Sequence, residues 1–276
     1  MPEGDTLHKL AARIRPGLLD RPVVEVRERD RGVIRPVVGK TITEVTAVGK
    51  NLLIAIERQF IVRVHLGLKG RARMWVPSED WRSRSRAANI TVASDALAFA
   101  AFRTMHARTH RKDDPLLERA LAQLGPDLLD PNVDMDRVLA RARGPAYADT
   151  PISVLLLDQR VCAGIGNVYR SEVLFLEGVH PRARVGDLDD VRLSAIFERA
   201  RTLMLSNLGE GPRVSVGPRR GARRQPGTPN LFVYRRRGMP CIRCPARIER
   251  DVIGTQARSI YWCPRCQPAS GPALVR

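Results

Sequence analysis

Leu7, Leu10, Ala11 and Ile14 fall on one face of a 3.6-residue repeat, so the chain predicts a helix over 5–15. Asp5 or Thr6 is placed to cap it and Pro16-Gly17 to stop it. The pattern then changes. Short β-branched or apolar runs at 23–26, 41–48, 52–56, 60–66, 90–93 and 96–102, broken by turn residues, predict strands. The stretch 78–88, full of Ser, Arg, Asp and Glu, reads as an exposed loop. After about residue 112 the helical period returns at 115–124, 135–143, 152–158, 168–177 and 191–208, punctuated by Gly-Pro, Asp-Pro and Gly. The segment 209–229, rich in Gly, Pro and Arg, reads as a loop, and no internal repeat is visible. The order is a helix, a β-domain, a helical domain and a tail of different character. With 276 residues there is room for two domains with separate cores. No stretch approaches the roughly 20 apolar residues of a membrane span.

The tail adds a metal. Cys241-x2-Cys244 and Cys263-x2-Cys266 are separated by 18 residues, a spacing at which four thiolates wrap one tetrahedral Zn²⁺. Tyr261-Trp262 and the prolines 240, 245 and 264 fit a small β-hairpin pinned by that metal. Two disulfides in a secreted domain are the alternative. Against it, Glu3, Asp5 and His8 interrupt any apolar start, so no signal peptide is expected. Cys162 stands alone, which suits a reducing, cytoplasmic setting.

Charge narrows the partner. The chain holds 47 Lys+Arg against 29 Asp+Glu, a formal charge of +18. Between Arg213 and Ile248 there are ten arginines and no acidic residue. An arginine-rich codon bias would raise the total without removing the acids. The pattern points to a polyanion gripped by bidentate phosphate contacts.

Candidate chemistry lies at the start and in the middle. After a small second residue the initiator Met is normally removed, which would leave Pro2 as a secondary amine able to attack an aldehyde-like sugar carbon. Glu3 beside it could move protons. On its own, Met-Pro-Glu is an ordinary beginning. Further on, Ile165-Gly166-Asn167 follows a Gly-punctuated turn, and backbone N–H groups at that helix start, with the Asn167 amide, make a phosphate nest.

Together these stretches resemble the bacterial formamidopyrimidine-DNA glycosylase and endonuclease VIII family of repair enzymes. The landmarks are Met1-Pro2-Glu3-Gly4, Gly49-Lys50, His65-Leu66-Gly67-Leu68, Leu124-Gly125-Pro126-Asp127, the Leu155–Glu172 block, in which Leu157-Asp158-Gln159 to Asn167 looks like the helix–two-turn–helix signature, and Arg258 through Gln267. They span nearly the whole chain.

The resemblance implies an α+β fold: an N-terminal β-sandwich with its leading helix, then a helix–two-turn–helix domain ending in a four-cysteine zinc-finger hairpin. The expected divisions are 1–124, 125–229 and 230–270. By resemblance Pro2 attacks C1′ of a damaged nucleotide and forms a Schiff base, and Glu3 is the general acid/base. Lys50 donates a proton in the elimination. Arg258 grips the phosphate beside the lesion and assists the second elimination. Asn167 holds the same phosphate region, and Leu68 is a wedge into the DNA stack. Cys241, Cys244, Cys263 and Cys266 hold one structural Zn²⁺. The expected partner is damaged double-stranded DNA, bound by a monomer in the bacterial cytoplasm at the nucleoid, with no membrane.

Thr6 stands where many relatives carry a second glutamate, and no Arg-x-Phe wedge pair typical of the 8-oxoguanine enzymes is found between about 100 and 115. These departures and the opening Pro-Glu-Gly-Asp-Thr lean toward the endonuclease VIII-like branch, which acts on oxidised pyrimidines. An 8-oxoguanine and formamidopyrimidine glycosylase on the same scaffold is the alternative. A zinc protein that binds damaged DNA without cutting it is the second.

Overall fold

The computed structural model describes residues 2–216, 229–255 and 257–269. Its packing divides into two units, Met1–Gln123 and Leu124–Arg276. Residues 217–228 of the expected 209–229 loop, Met1 and residue 270 lie outside the described residues.

In the first unit α1 (Gly4–Leu18) buries Leu7, Leu10, Ala11, Ile14 and Leu18. The helix does not stop at Pro16 as expected. The proline sits inside the last turn, and the Leu19 N–H closes on the Arg15 carbonyl at 2.9 Å. One lost amide bond is offset by carrying Leu18 fully into the core. Arg15 also donates from Nε and Nη2 to the Val45 carbonyl, at 3.0 and 2.8 Å, tying the helix to the sheet beneath.

That sheet joins β3 (Ile42–Val48), β4 (Asn51–Ile56), β5 (Phe60–His65) and β9 (His106–Arg111) in that order. A second sheet takes β1 (Glu25–Glu28), β2 (Gly32–Val33), β6 (Arg71–Trp75), β7 (Ile90–Ala93) and β8 (Ala98–Phe102) in the order β2-β1-β7-β8-β6. Every pairing is antiparallel. Val26, Val92, Phe99 and Ala101 from one sheet meet Ile42, Leu52, Ile54, Val62 and Val64 from the other in a single core, which makes the unit a sandwich.

Three features differ from expectation. The 78–88 stretch is not an open loop: α2 (Trp81–Arg84) lays Trp81 on Trp75 and the alanines of β7 and β8, and Ser85 and Ala88 are buried too. β6 and β9 have no apolar run to announce them. They form because β8 and β5 supply ladder partners along their length. The unit ends with α3 (Pro115–Ala122).

The second unit holds α4 (Met135–Ala142), α5 (Ile152–Leu155), α6 (Asn167–Leu176), α7 (Asp190–Ser206) and the hairpin of β10 (Glu249–Ile253) and β11 (Arg258–Trp262). Helix α6 is buried from Val168 to Phe175, so it is the central element. Tyr169, Val173 and Leu174 face the helical core, while Phe175 joins Val233, Cys241, Ile248 and Cys263 under the hairpin. Among the described residues no helix is long and apolar enough to cross a membrane.

Candidate functional site

Six groups of side chains make up the candidate site residues, three in each unit. At the N-terminus, Pro2 is half-buried and leads directly into α1. Glu3 is the N-cap residue and is fully buried. Its carbonyl accepts the Thr6 and Leu7 amides at 3.0 and 3.3 Å, and its own N–H donates to Thr6 Oγ1 at 3.2 Å. Thr6 therefore fixes the backbone of Glu3, a use that only a hydroxyl or longer polar residue at the third helical position can fill.

Lys50 occupies the two-residue turn between β3 and β4. Gly49 precedes it at φ 55°, the left-handed value that such hairpins favour. Asn51 locks the turn by donating from Nδ2 to the Val48 carbonyl at 3.2 Å. The Lys50 ammonium shares its surroundings with His65: burial first, then the charges of Lys50 and Arg63, hold that imidazole down at about 4.

Leu68 is half exposed at the tip of the turn between β5 and β6. The tight return is possible because a Cβ at Gly70 would meet the Leu66 carbonyl oxygen at 2.0 Å. Met105, exposed to 67 %, stands on the neighbouring loop between β8 and β9. Its N–H donates to the His65 carbonyl at 2.9 Å, and its Cβ lies 2.9 Å from where a Cβ of Gly67 would be. Leu68 was named from the sequence, but the bare Met105 on the adjoining loop was missed. The signal was Arg103-x-Met105, with methionine where a phenylalanine was sought.

In the second unit the double turn before α6 is built by Gln159. Its Nε2 donates to the Leu157 and Ile165 carbonyls at 2.9 and 3.1 Å, and its Oε1 accepts the Gly164 N–H at 3.1 Å. Burial pushes the neighbouring Asp158 carboxyl up, but the Arg160 guanidinium and the Tyr147 hydroxyl together hold it below the ordinary carboxylate value. The segment from Gly125 crosses behind this turn: its N–H reaches the Gln159 carbonyl at 2.8 Å, and a Cβ there would lie 2.3 Å from the Val161 carbonyl oxygen. Asn167 thus opens α6 from a rigid start, after Gly166 in extended conformation.

Arg258 is the first residue of β11, half exposed and opposite Ile253. Helix α6 fixes its backbone. Arg170, fully buried, donates to the Ser259, Ser153 and Arg258 carbonyls at 2.7, 3.1 and 3.4 Å. Glu172, also fully buried, accepts the Phe232, Val233 and Tyr234 amides at 2.7, 2.9 and 2.8 Å and the Ser215 hydroxyl. Burial pushes the Glu172 carboxyl up, and those donors oppose it. Sequence reasoning placed both residues inside a family landmark but gave neither a role. A charged pair inside an otherwise apolar helix, Arg170 and Glu172, was the available sign.

The four cysteines converge. Their Sγ atoms all lie within 4.8 Å of one another, with Cys244 3.4 Å from Cys263 and 3.6 Å from Cys266, and Cys241 3.9 Å from Cys266. Sulfurs bound at about 2.3 Å to a tetrahedral zinc stand about 3.8 Å apart, so the set fits that ion. Gln267 braces the second knuckle: its Oε1 accepts the Cys263 N–H at 3.0 Å while its Nε2 donates to the Val179 carbonyl at 2.8 Å.

Comparison with known proteins gives a consistent picture. The family described as the formamidopyrimidine-DNA glycosylase N-terminal domain matches residues 1–107, and the formamidopyrimidine-DNA glycosylase H2TH domain matches residues 124–215. A probable endonuclease 8 2 of Streptomyces coelicolor is 36 % identical over 99 % of this chain and 95 % of its own length. A DNA-(apurinic or apyrimidinic site) lyase Nei2 of Mycolicibacterium smegmatis is 34 % identical over 98 % of this chain and 100 % of its own. Among solved structures, the MutM (Fpg) protein of Thermus thermophilus superposes with a TM-score of 0.75 at 25 % identity, covering 98 % of this chain and 100 % of that one.

Proposed function

The chain belongs to the formamidopyrimidine-DNA glycosylase and endonuclease VIII family, and from that premise we propose that it is a bifunctional DNA glycosylase and AP lyase of base excision repair. The observation that carries the reading is the pairing of Pro2 with a buried, N-capping Glu3 at the mouth of α1. With Met1 removed, the Pro2 amine attacks C1′ of the damaged nucleotide. The bond to the base breaks, and the base leaves with a proton supplied through Glu3. The resulting iminium draws electrons from C2′, and loss of a C2′ proton expels the 3′ phosphate. Lys50 supplies the proton that ring opening and elimination require. A second elimination, assisted by Arg258 on the 5′ side, releases the other phosphate.

Arg258 and Asn167 hold phosphates on their two elements, and the +18 charge draws the duplex in. Extracting the damaged nucleotide costs about a few kcal/mol of stacking, and Leu68, with Met105 beside it, is suited to fill the gap. The partner is damaged double-stranded DNA and the working form a monomer. Cys241, Cys244, Cys263 and Cys266 would hold one structural Zn²⁺, whose contribution is to fix the hairpin that carries Arg258. We divide the chain into a catalytic part, 1–124, a helix–two-turn–helix part, 125–229, and a zinc finger, 230–270.

Oxidised pyrimidines are the preferred substrates in this reading, supported by Thr6 and by relatives named endonuclease 8. One observation favours the 8-oxoguanine alternative: Arg103-x-Met105 presents an exposed apolar side chain where those enzymes carry Arg-x-Phe. Excision from thymine-glycol and 8-oxoguanine duplexes separates the two. A protein with extra residues ahead of Pro2 should bind DNA and release no base; retained excision overturns the proline mechanism.

A further inference from the structure

Between Arg213 and Ile248 the chain carries arginines and no acid, and the described ones divide into those the fold uses and those it leaves over. The Arg236 guanidinium donates to the Phe232 carbonyl and, at 2.8 Å, to the Pro240 carbonyl. Arg243 lies over the Phe175 and Phe232 rings, 4.9 and 5.0 Å from their centroids. Arg247 donates to the Gly238 carbonyl at 2.7 Å. Arg235 and Arg237 differ: both are exposed, and among the described residues neither side chain makes a hydrogen bond or ion pair. The Arg235 guanidinium lies over the Tyr234 ring, 5.6 Å from its centroid.

Arg235 also stands where the backbone disfavours it. The Arg236 N–H closes on the Val233 carbonyl at 3.0 Å, so Val233–Arg236 is a four-residue turn with Arg235 in third place. Its φ is 60°, the left-handed region in which glycine or asparagine usually fills that position. Three residues on, Gly238 takes φ 76° with no side chain to strain. The turn persists because its surroundings over-determine it. The buried Glu172 carboxylate accepts the amides of Phe232, Val233 and Tyr234, and Arg236 brackets the turn from Phe232 to Pro240. The Tyr234 ring meets Tyr261 of β11 edge-on, with centroids 5.3 Å apart and planes at 67°. The turn is thereby fastened to α6 on one side and to the hairpin of Arg258 on the other.

A glycine would satisfy this turn without strain. Arginine gives up local stability and presents an exposed guanidinium on a rigid base. The ring contact restricts the side chain while using none of its five N–H donors. Glu172, the carboxylate that holds this turn, is buried and already accepts the three amides and the Ser215 hydroxyl, so the Arg235 charge is left for an anion from outside.

We propose that Arg235 is a further DNA-binding residue, gripping a backbone phosphate from the turn beside the hairpin that carries Arg258; this rests on the repair function proposed above. A duplex drawn in by the net charge of +18 offers phosphate oxygens along both strands, and the guanidinium fork matches two of them at once.

The test uses mature, zinc-loaded full-length protein and a duplex with one stable abasic-site analogue, the affinity being measured across a range of salt. Arg235→Gly should weaken binding about tenfold, the worth of one charge-assisted contact, and lower the slope of log affinity against log salt by about one. Its thermal transition should hold or rise, because glycine relieves the left-handed backbone. In cleavage of a preformed abasic site, the loss should fall on the half-saturating protein concentration more than on the saturated rate. Arg235→Lys should restore the slope and part of the affinity, since it returns the charge without the fork. A wild-type slope in Arg235→Gly overturns the contact, as does a loss of binding that Arg235→Lys leaves unrelieved. Wild-type protein that neither binds the analogue nor cuts a true abasic site would instead refute the repair function itself.

Discussion

At the scale of single residues, Lys50 is the proposed proton donor, set on a Gly49-Lys50 turn that Asn51 locks and beside a histidine kept neutral. Lys50→Ala should lower strand cleavage about 100-fold, the usual worth of a positioned acid or base, while DNA affinity changes little. Cleavage of a preformed abasic site at the wild-type rate would contradict that role. The histidines also predict a pH dependence of stability. His65 and His106 ordinarily titrate near 6.5 and are held at about 4 in the fold. Below pH 6.5 the unfolded chain takes up protons that the native one refuses. Their stabilising share is therefore complete above pH 6.5 and lost progressively as the pH falls toward 4. Thermal unfolding at pH 7.5 and 5 should show a smaller loss for a His65→Gln, His106→Gln double variant than for wild type; equal losses would remove the argument. Pro2, Glu3 and Lys50 were legible in the sequence as residue types in order. The buried state of Glu3 was not, because it depends on α1 closing over the sheet.

At the scale of elements, legibility followed apolar patterning. The six runs with β-branched or apolar character became strands, whereas β6 and β9, written Arg-Ala-Arg-Met-Trp and His-Ala-Arg-Thr-His-Arg, carry polar side chains on their outer faces and depend on partner strands for definition. Pro16 misled for a related reason, since local propensity lost to the burial of Leu18. The double turn before α6 was readable from Gln159, Gly164 and Gly166. What could not be read was that Gly125, some forty residues from Asn167, passes so close behind it. Gly125→Ala would press a Cβ against the Val161 carbonyl and should cost about 1–3 kcal/mol, the range for overpacking; an unchanged denaturation midpoint would show that the crossing can relax. The metal hairpin makes a parallel case. Cys263→Ala removes one of four converging sulfurs and should release zinc and disorder β10 and β11. Full strand cleavage by the zinc-free variant would separate the metal from the function.

For the whole molecule, the excess of 18 positive charges makes binding to a polyanion steeply salt-dependent. Arg258→Ala should weaken duplex binding and reduce the slope of log affinity against log salt by about one, as expected for one lost phosphate contact. An unchanged slope would move Arg258 away from the backbone. The residues proposed as nucleophile and acid, and the Lys50 turn, lie in one unit; Asn167 and Arg258 lie in the other, where Arg170, on the helix that Asn167 opens, holds the Arg258 and Ser259 carbonyls. The proposed function turns on Pro2 forming the covalent link to the sugar. It is tested most directly by borohydride reduction of the mature protein on duplexes carrying thymine glycol, 8-oxoguanine or an abasic site, with peptide mapping of the adduct. A stable cross-link at Pro2, on thymine glycol and on the abasic site, is the expected result. A cross-link at any other residue, or none on any of the three duplexes, would rule out Pro2 as the nucleophile.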